Sequence, residues 1–263
     1  MSREASLQAG PEESPEGGRY ASLVRGLFRD EYASRSLYRL IRRGSVKRIV
    51  REVAAGKESR VYLGVSPDGK PLAVKVYFIE STSFRGHLKY VKGDHRFRSF
   101  KEKAWSIATL WCWKEFRNLH RAYRAGVKVP APIDYEGNVL VMEFVGDCFK
   151  PAPTIKEYPP NDMNKALSLI LKYMSLLWKK ARLVHGDLSE YNILNHSNEL
   201  YIIDWSAAVE TTHPKAETLL LNDLKNIVKF FSRFIETPDH TYLYKVVVKN
   251  EIKKVDGRWG ILI

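Results

Sequence analysis

Leu183-Val-His-Gly-Asp-Leu-Ser-Glu-Tyr-Asn-Ile-Leu194, followed by Leu200-Tyr-Ile-Ile-Asp204, is the most informative stretch of this chain. Asp187 stands five positions before Asn192, and Asp204 ends an apolar run twelve positions after that asparagine. Carboxylate and amide oxygens are the hard ligands that Mg2+ prefers, with phosphates and waters completing its shell. The carboxylate of Asp187 is also suited to orient an attacking hydroxyl and accept its proton. The pattern predicts a magnesium-assisted site for phosphoryl transfer.

The residues around these motifs favour this interpretation over a chance match. Asp-x4-Asn is common by itself, and an aspartate that ends a strand is often a cap. Here an amphipathic helix pattern at 167–180 precedes the loop, and Tyr201–Ile203 predicts a short buried strand before Asp204. Protein kinases place a catalytic Asp, a metal-binding Asn and a second metal-binding Asp in this order. We therefore expect an α+β, two-lobed, protein-kinase-like fold with a small β-rich N-lobe and a mostly helical C-lobe.

The N-terminal half has the features of a nucleotide-binding lobe. Two alternating strands, at 60–65 and 71–77, are joined by Asp-Gly and predict a hairpin. The turn at Gly56 precedes this hairpin and is able to lay backbone N–H groups against phosphates, although one glycine is weak support. Ala73-Val-Lys75 resembles the strand whose lysine holds the alpha and beta phosphates of the nucleotide in kinases.

Two further segments complete the predicted pocket. A helix is expected over 105–125, where Glu115 is the preferred ion-pair partner of Lys75 and Glu102 the competing candidate. An apolar strand at 139–145 turns polar near its end, as the hinge between the lobes of a kinase does. Adenine would bond backbone groups there.

The composition restricts the classes of partner. The chain has 263 residues, 44% of them hydrophobic, which suffices for one compact two-lobed enzyme. Its net charge of +13 favours polyanions such as RNA. Between 35 and 51 there are seven Lys and Arg residues and no acid, so a solvated helix face and an RNA or phosphate contact both stay open. We expect Cys112 and Cys148 to serve in packing.

We expect a cytoplasmic protein without a membrane span. The N-terminus lacks the basic-then-apolar layout of a signal peptide, and no run of 18 apolar residues occurs. A basic stretch at 80–103 predicts a mobile loop. The predicted divisions are a disordered segment at 1–18, a basic helical extension at 19–45, the N-lobe through the hinge at 46–145, the C-lobe at 146–241 and a basic tail at 242–263.

Over about residues 46–235 the chain resembles the RIO family of atypical serine/threonine protein kinases, and within it the Rio-one subfamily. The subfamily signature Leu-Val-His-Ala-Asp-Leu-Ser-Glu-Tyr-Asn is matched at 183–192, with Gly186 in place of alanine. Further matching pieces are Gly56–Glu58, Gly93–Phe97, Lys114–Leu119, Met142–Phe144, Pro151–Pro153, His213-Pro214 and Asn222–Asn226.

The resemblance implies a role for each matched position. Asp187 would be the catalytic aspartate, and Asn192 and Asp204 would hold Mg2+, or Mn2+ in its place. In this family the aspartate that matches Asp204 is also associated with an aspartyl-phosphate intermediate. His185 is expected to be structural, bonding the loop backbone. The residues implied to hold ATP are Lys57, Glu58 and Ser59 over the phosphates, Lys75 with its partner Glu115, and Met142, Glu143 and Val145 at the hinge.

The resemblance also implies a kinase or ATPase that acts in maturation of the small ribosomal subunit, with rRNA and pre-ribosomal particles as partners. Ser189 replaces the lysine that ordinary kinases place two residues after the catalytic Asp, and Asp204-Trp-Ser206 replaces Asp-Phe-Gly. Phosphorylation of extended peptides is therefore expected to be inefficient. 

Two alternatives to this function are compatible with the core motif. A small-molecule phosphotransferase of the aminoglycoside or choline kinase type shares His-Gly-Asp and Ile-Asp-Trp, but a cationic substrate would be repelled by a protein of this charge. The second alternative is an RNA-binding scaffold with a kinase fold and no turnover. Retention of Lys75, Asp187, Asn192 and Asp204 together argues against it.

Overall fold

The computed structural model describes Phe28, residues 30–79 and residues 104–249. The predictions for the segment at 1–18, for the loop at 80–103 and for the end of the basic tail lie outside the described residues. In the part that is described, a small lobe built on a sheet precedes a mostly helical lobe, as predicted.

The N-lobe sheet contains strands β1 (Arg48–Ala55), β2 (Ser59–Val65), β3 (Pro71–Tyr77), β4 (Pro132–Glu136) and β5 (Val139–Glu143). Within the described residues these five strands are antiparallel and follow the order β1-β2-β3-β5-β4. The predicted hairpin is present, because β2 pairs with β3 from Ser59↔Tyr77 to Val65↔Pro71. Gly69 adopts a φ of +85° in its turn, a conformation that glycine enters at little cost.

Two helices, α1 (Glu31–Arg42) and α2 (Ala104–Arg124), pack on the N-lobe sheet. Side chains alternate along a strand, so β3 supplies residues to both faces. Lys75 and Tyr77 lie on the side of α2, where Tyr77 shares a buried cluster with Trp111. Three alternate side chains of β3 on the opposite face share a cluster with α1, which makes α1 part of the N-lobe core. This cluster includes Ala33, Leu37, Leu40, Leu72, Val74 and Val76.

A short hairpin follows the hinge. Its strands are β6 (Gly146–Asp147) and β7 (Lys150–Pro151), and its turn residues Cys148 and Phe149 have φ values of +45° and +66°. Cys148 is exposed, so the prediction that both cysteines serve in packing is wrong for Cys148. A tight two-residue turn points its side chains outward, and the apolar cluster of the C-lobe does not reach it. Cys112 on α2 is buried as expected.

The C-lobe contains helices α3 (Met163–Leu176), α4 (Ala216–Phe231) and α5 (His240–Lys249), and strands β8 (Leu183–Val184), β9 (Ile193–His196), β10 (Glu199–Ile202) and β11 (Val209–Glu210). The predicted helix at 167–180 begins earlier, because Asp162 caps it, and it ends in a π-helical turn at Leu177–Ala181. Strand β8 pairs with β11, and β9 pairs with β10. The loops at 185–192 and 203–208 therefore lie side by side. No helix among the described residues is both long and apolar enough to cross a membrane.

The close approach of α1 to the β4–β5 turn gives a test of this packing. Gly137 has a φ of +54°, and a Cβ there would lie 2.3 Å from Ser36 Oγ and 3.0 Å from the Tyr32 ring. We expect Gly137→Ala to lower the free energy of unfolding in urea by about 3 kcal/mol or more, since strain and overpacking add. The control Gly69→Ala meets no atom within 4 Å and should cost only about 1 kcal/mol of backbone strain. Equal losses in the two variants would contradict a tight contact between α1 and the turn.

Candidate active site

A buried ammonium lies at the centre of the cleft between the lobes. The Lys75 Nζ is 2.8 Å from Glu115 Oε2 and 3.0 Å from Asp204 Oδ1. The predicted pairing of Lys75 with Glu115 is therefore present, whereas Glu102, the competing candidate, lies outside the described residues. Glu115 also accepts hydrogen bonds from the Tyr77 hydroxyl and from the main-chain N–H of Trp205. One carboxylate from α2 thus joins strand β3 to the segment after β10.

The charges in this cluster set the pKa values of its members. Burial lowers the pKa of Lys75, but the charges of Asp204 and Glu115 outweigh it and raise that pKa above its ordinary value. Burial raises the pKa of Asp204, and the Lys75 ammonium lowers it by more, to about 2. Burial raises the pKa of Glu115 against the opposing charge of Lys75. Near neutral pH, Lys75 is a cation beside an ionised Asp204.

Asp187 and Asn192 face each other across the loop that follows β8. The Asn192 side-chain NH2 donates to the Asp187 main-chain oxygen at 2.7 Å and to its Oδ2 at 3.3 Å. This orientation leaves the amide oxygen of Asn192 for a cation. The Asn192 carbonyl accepts a hydrogen bond from the Ile203 N–H at 3.0 Å. The loop is thereby joined to the segment that carries Asp204.

The side chain of Asp223 on α4 holds the loop that carries Asp187 and Asn192. This role was not predicted from the sequence. Its buried carboxylate accepts the N–H of Gly186 at 2.9 Å and of Leu188 at 2.8 Å. Burial raises the pKa of Asp223 to about 7, and the two N–H donors oppose that shift. Asp223 lies in the matched piece Asn222–Asn226, but nothing local to the sequence connects that helix to a loop 35 residues away.

His185 supports the loop from its buried side. Its side chain is buried, and its Nε2–H donates to the Ile203 carbonyl at 3.0 Å. The ring meets Trp205 edge-on with centroids 4.8 Å apart. Burial lowers the pKa of His185 to about 4, so the ring is neutral at physiological pH. These contacts agree with the structural role expected for it.

The predicted hinge lies where β5 ends. The Glu143 carboxylate accepts the Ala131 N–H at 3.0 Å, so its side chain is engaged within the N-lobe. The Val145 carbonyl accepts the Ala152 N–H at 2.9 Å, while no described residue accepts a hydrogen bond from the Val145 N–H. That N–H is suited to bond an adenine ring. Met142 packs against clusters of both lobes.

The predicted phosphate-covering loop connects β1 to β2. The Gly56 N–H donates to the Ser59 carbonyl at 2.9 Å and closes the turn, and the Glu58 carbonyl accepts the Phe78 N–H at 2.9 Å. Lys57 at the tip is exposed, while Glu58 and Ser59 are half-buried. The structure thus places this loop beside the carboxyl end of β3, the strand that carries Lys75.

The donor set fits a magnesium–nucleotide complex. Asn192 and Asp204 supply one amide and one carboxylate oxygen, and Mg2+ typically takes one or two protein ligands together with phosphates and waters. The Lys75 ammonium would supply a fixed positive charge for the phosphates. Within the described residues no three His, Cys, Asp or Glu side chains converge on a single point. The two-lobed architecture and the arrangement of these residues together place the chain among proteins with the protein-kinase fold.

Comparisons with known proteins narrow that class. The model of the RIO domain family matches residues 60–243. The RIO-type serine/threonine-protein kinase Rio1 of Haloferax volcanii is 38% identical over 228 residues, which make up 87% of this chain and 78% of that protein. The human serine/threonine-protein kinase RIO1 is 38% identical over 202 residues, or 75% of this chain and 35% of the human protein. The chain therefore belongs to the RIO family of serine/threonine-protein kinases.

A solved structure supports the fold. The Rio2 kinase of Chaetomium thermophilum, described as an ADP/Mg2+-phosphoaspartate complex, superposes with a TM-score of 0.63 at 24% identity. The match covers 83% of this chain and 67% of that chain. At this level of identity the similarity establishes the protein-kinase-like fold and not the roles of single residues.

The neutral state of His185 makes stability depend on pH. Its pKa is about 4 when folded and about 6.5 when unfolded, so the unfolded chain binds the extra proton between those values. The stability contributed by the neutral ring is complete above pH 6.5 and is lost as the pH falls toward 4. Between pH 7 and pH 5 we expect the wild type to lose on the order of 2 kcal/mol more than His185→Gln in urea unfolding.

The carboxylates titrate in the wild type and in His185→Gln alike, so their contribution to the pH dependence of stability cancels when the two proteins are compared. Gln retains an N–H donor toward the Ile203 carbonyl. Equal pH dependence in wild type and variant would contradict a buried neutral histidine.

Proposed function

We propose that this protein transfers the γ-phosphate of ATP in a Mg2+-dependent reaction. The observation that carries the proposal is the convergence of Lys75, Asp187, Asn192 and Asp204 on one cleft, with Lys75 held as a cation between two carboxylates. The Rio2 kinase of Chaetomium thermophilum was solved as an ADP/Mg2+-phosphoaspartate complex, which supports the same chemistry by relationship. The names of the curated relatives as serine/threonine-protein kinases support it further.

The binding roles follow from the atoms that the fold leaves available. Adenine would bond the Val145 N–H at the hinge, beside Met142 and the backbone of Glu143. The phosphates would lie between Lys75 and the loop formed by Lys57, Glu58 and Ser59. The amide oxygen of Asn192 and the carboxylate of Asp204 would hold Mg2+, and Mn2+ would be able to use the same ligands. When bound, the cation neutralises charge on the phosphates.

Asp187 would act on the attacking group. Its carboxylate is exposed to the cleft and oriented by the Asn192 amide, so it is placed to align a hydroxyl or a water and to accept its proton. Glu115 would hold Lys75 without contacting the nucleotide. In this division, Lys75, Asp187 and Asp204 are the catalytic residues.

We further propose that ATP hydrolysis on precursors of the small ribosomal subunit, in the cytoplasm, is the main output. Ser189 removes a positive charge that ordinary kinases place near the γ-phosphate, which argues against efficient transfer to extended peptides. The net charge of +13 suits a partner rich in phosphate. Phosphorylation of a protein serine would be the minor output.

Catalysis by Asp187 is tested by tracing radiolabelled γ-phosphate from ATP with Mg2+. We expect Asp187→Asn to lower turnover by about 10²–10⁴-fold, because it keeps the shape but removes the proton acceptor. The control Asp68→Asn, in the exposed β2–β3 turn, should keep full turnover. Wild-type turnover in Asp187→Asn would exclude this residue as the catalytic base. Release of the label mainly as free phosphate, stimulated by small-subunit particles, supports the ATPase output, and transfer of most of the label to a protein serine contradicts it.

The structure sharpens the prediction of RNA contact by the basic segment at 35–51. Arg39 pairs with Glu136 at 2.9 Å, and Arg43 pairs with Asp134 and Glu136. Arg42 and Lys47 are exposed, and in the described part of the chain neither has an ion-pair partner. We infer that Arg42 and Lys47 are available to phosphates, as the exposed Arg48 is, whereas Arg39 and Arg43 are engaged by acids.

This inference is tested with two variants of equal charge change. Arg42→Ala/Lys47→Ala should weaken binding of a small-subunit rRNA fragment and reduce the dependence of log K on log salt by about two. Arg39→Ala/Arg43→Ala removes the same charge from the same basic segment and should change this slope by less. Equal effects of the two variants would mean that RNA responds only to net charge. No effect of either variant would mean that the segment at 35–51 is not part of the RNA-binding surface.

A further inference from the structure

The turn that follows Asp204 is held by side chains of α2. The Asn118 side-chain NH2 donates to the Trp205 carbonyl at 3.1 Å and to the Ala208 carbonyl at 3.2 Å. The Lys114 Nζ donates to the Ser206 carbonyl at 2.8 Å. Both side chains are fully buried. Most buried polar side chains in proteins are hydrogen-bonded, and these two fix three main-chain carbonyls of the turn to one helix.

Asp204 itself has an unusual conformation. Its φ is +61°, in the left-handed region that residues other than glycine enter infrequently. Such conformations persist where the surrounding structure enforces them, and they concentrate at functional sites. The contacts of Asn118 and Lys114 begin at the next residue, so they are suited to enforce it.

The two oxygens of the Asp204 carboxylate differ in their contacts. Oδ1 accepts hydrogen bonds from the Lys75 Nζ at 3.0 Å and from the Ser206 Oγ at 2.8 Å. Oδ2 has no hydrogen-bond partner among the described residues, and the side chain is 43% exposed. One oxygen is therefore occupied by protein donors, and the other is available to a ligand.

We propose that Asn118, Lys114 and Ser206 are positioning residues that present Oδ2 of Asp204 to the divalent cation. This inference rests on the Mg2+-dependent function proposed above. Partners that orient a metal ligand typically change metal affinity by 10–100-fold when they are removed. Ser206 fixes which oxygen is used, and the two α2 side chains fix where the turn places it. The affinity for the cation is then set in part by a helix that contributes no ligand to it.

A merely structural role for these residues predicts a different result. Loss of a buried bond from Asn118 lowers stability in either case, so stability alone does not separate the two roles. Ser206 is half-buried, and its hydroxyl bonds the Asp204 carboxylate directly. A change at Ser206 therefore tests the cation site with little disturbance of the core.

The experiment measures binding of a non-hydrolysable ATP analogue to the full-length chain by calorimetry at increasing Mg2+ concentrations. We expect Ser206→Ala to raise the Mg2+ concentration for half-maximal affinity by about tenfold, and Asn118→Ala to raise it by at least as much. Affinity for the analogue at saturating Mg2+ should change less than twofold. Ser206→Thr keeps a hydroxyl and should restore the wild-type Mg2+ dependence.

The matched control is Ser168→Ala, which also removes one hydroxyl hydrogen bond, on α3. It should leave the Mg2+ dependence unchanged. Wild-type Mg2+ dependence in both Ser206→Ala and Asn118→Ala, even with reduced melting temperatures, would overturn the inference alone. A wild-type protein whose binding of the analogue ignores Mg2+ would overturn the proposed function, and the inference with it.

Discussion

The ammonium of Lys75 is a charge in a nearly dry position, with a side chain only 7% exposed. Burial of an ion costs several kcal/mol unless partners compensate it, and removal of one partner from a buried pair typically costs about 3–5 kcal/mol. Here the partners come from opposite parts of the molecule, Glu115 from α2 and Asp204 from the C-lobe. The same charge consequently links the N-lobe sheet to α2 and to the C-lobe.

Helix α2 connects this cluster to the rest of the site. Lys114, Glu115 and Asn118 lie within little more than one turn, so they project toward the same region of the cleft. Glu115 holds Lys75, whereas Lys114 and Asn118 hold the carbonyls that follow Asp204. A displacement of α2 would disturb Lys75 and Asp204 together, the residues proposed to bind the phosphates and the metal ion. The geometry of the site thus depends on α2, although none of its side chains is among the proposed ligands of the metal ion.

The parts of the fold that the sequence predicted are those determined by local rules. Alternation predicted the hairpin and placed Lys75 on its strand, and the spacing of Asp187, Asn192 and Asp204 indicated the site. Long-range pairs were not accessible in this way. Arg39 pairs with Glu136, which lies 97 residues away in the chain. The absence of acids near Arg39 in the sequence therefore did not mean that its charge is unpaired. Similarly, the sequence of α4 gives no sign that it bonds the catalytic loop.

Gly186 illustrates why the last details of the site depend on packing. It has a φ of +81°, and a Cβ there would lie 3.1 Å from the Ala207 carbonyl. Its N–H is bonded to the Asp223 carboxylate, while the turn that contains Ala207 is bonded to Asn118. The two loops, which contain the positive-φ residues Gly186 and Asp204, are thus held in contact by hydrogen bonds from α4 and α2. Glycine at this position allows the close approach of the two loops without displacing the Ala207 carbonyl, which a side chain at this positive φ would do.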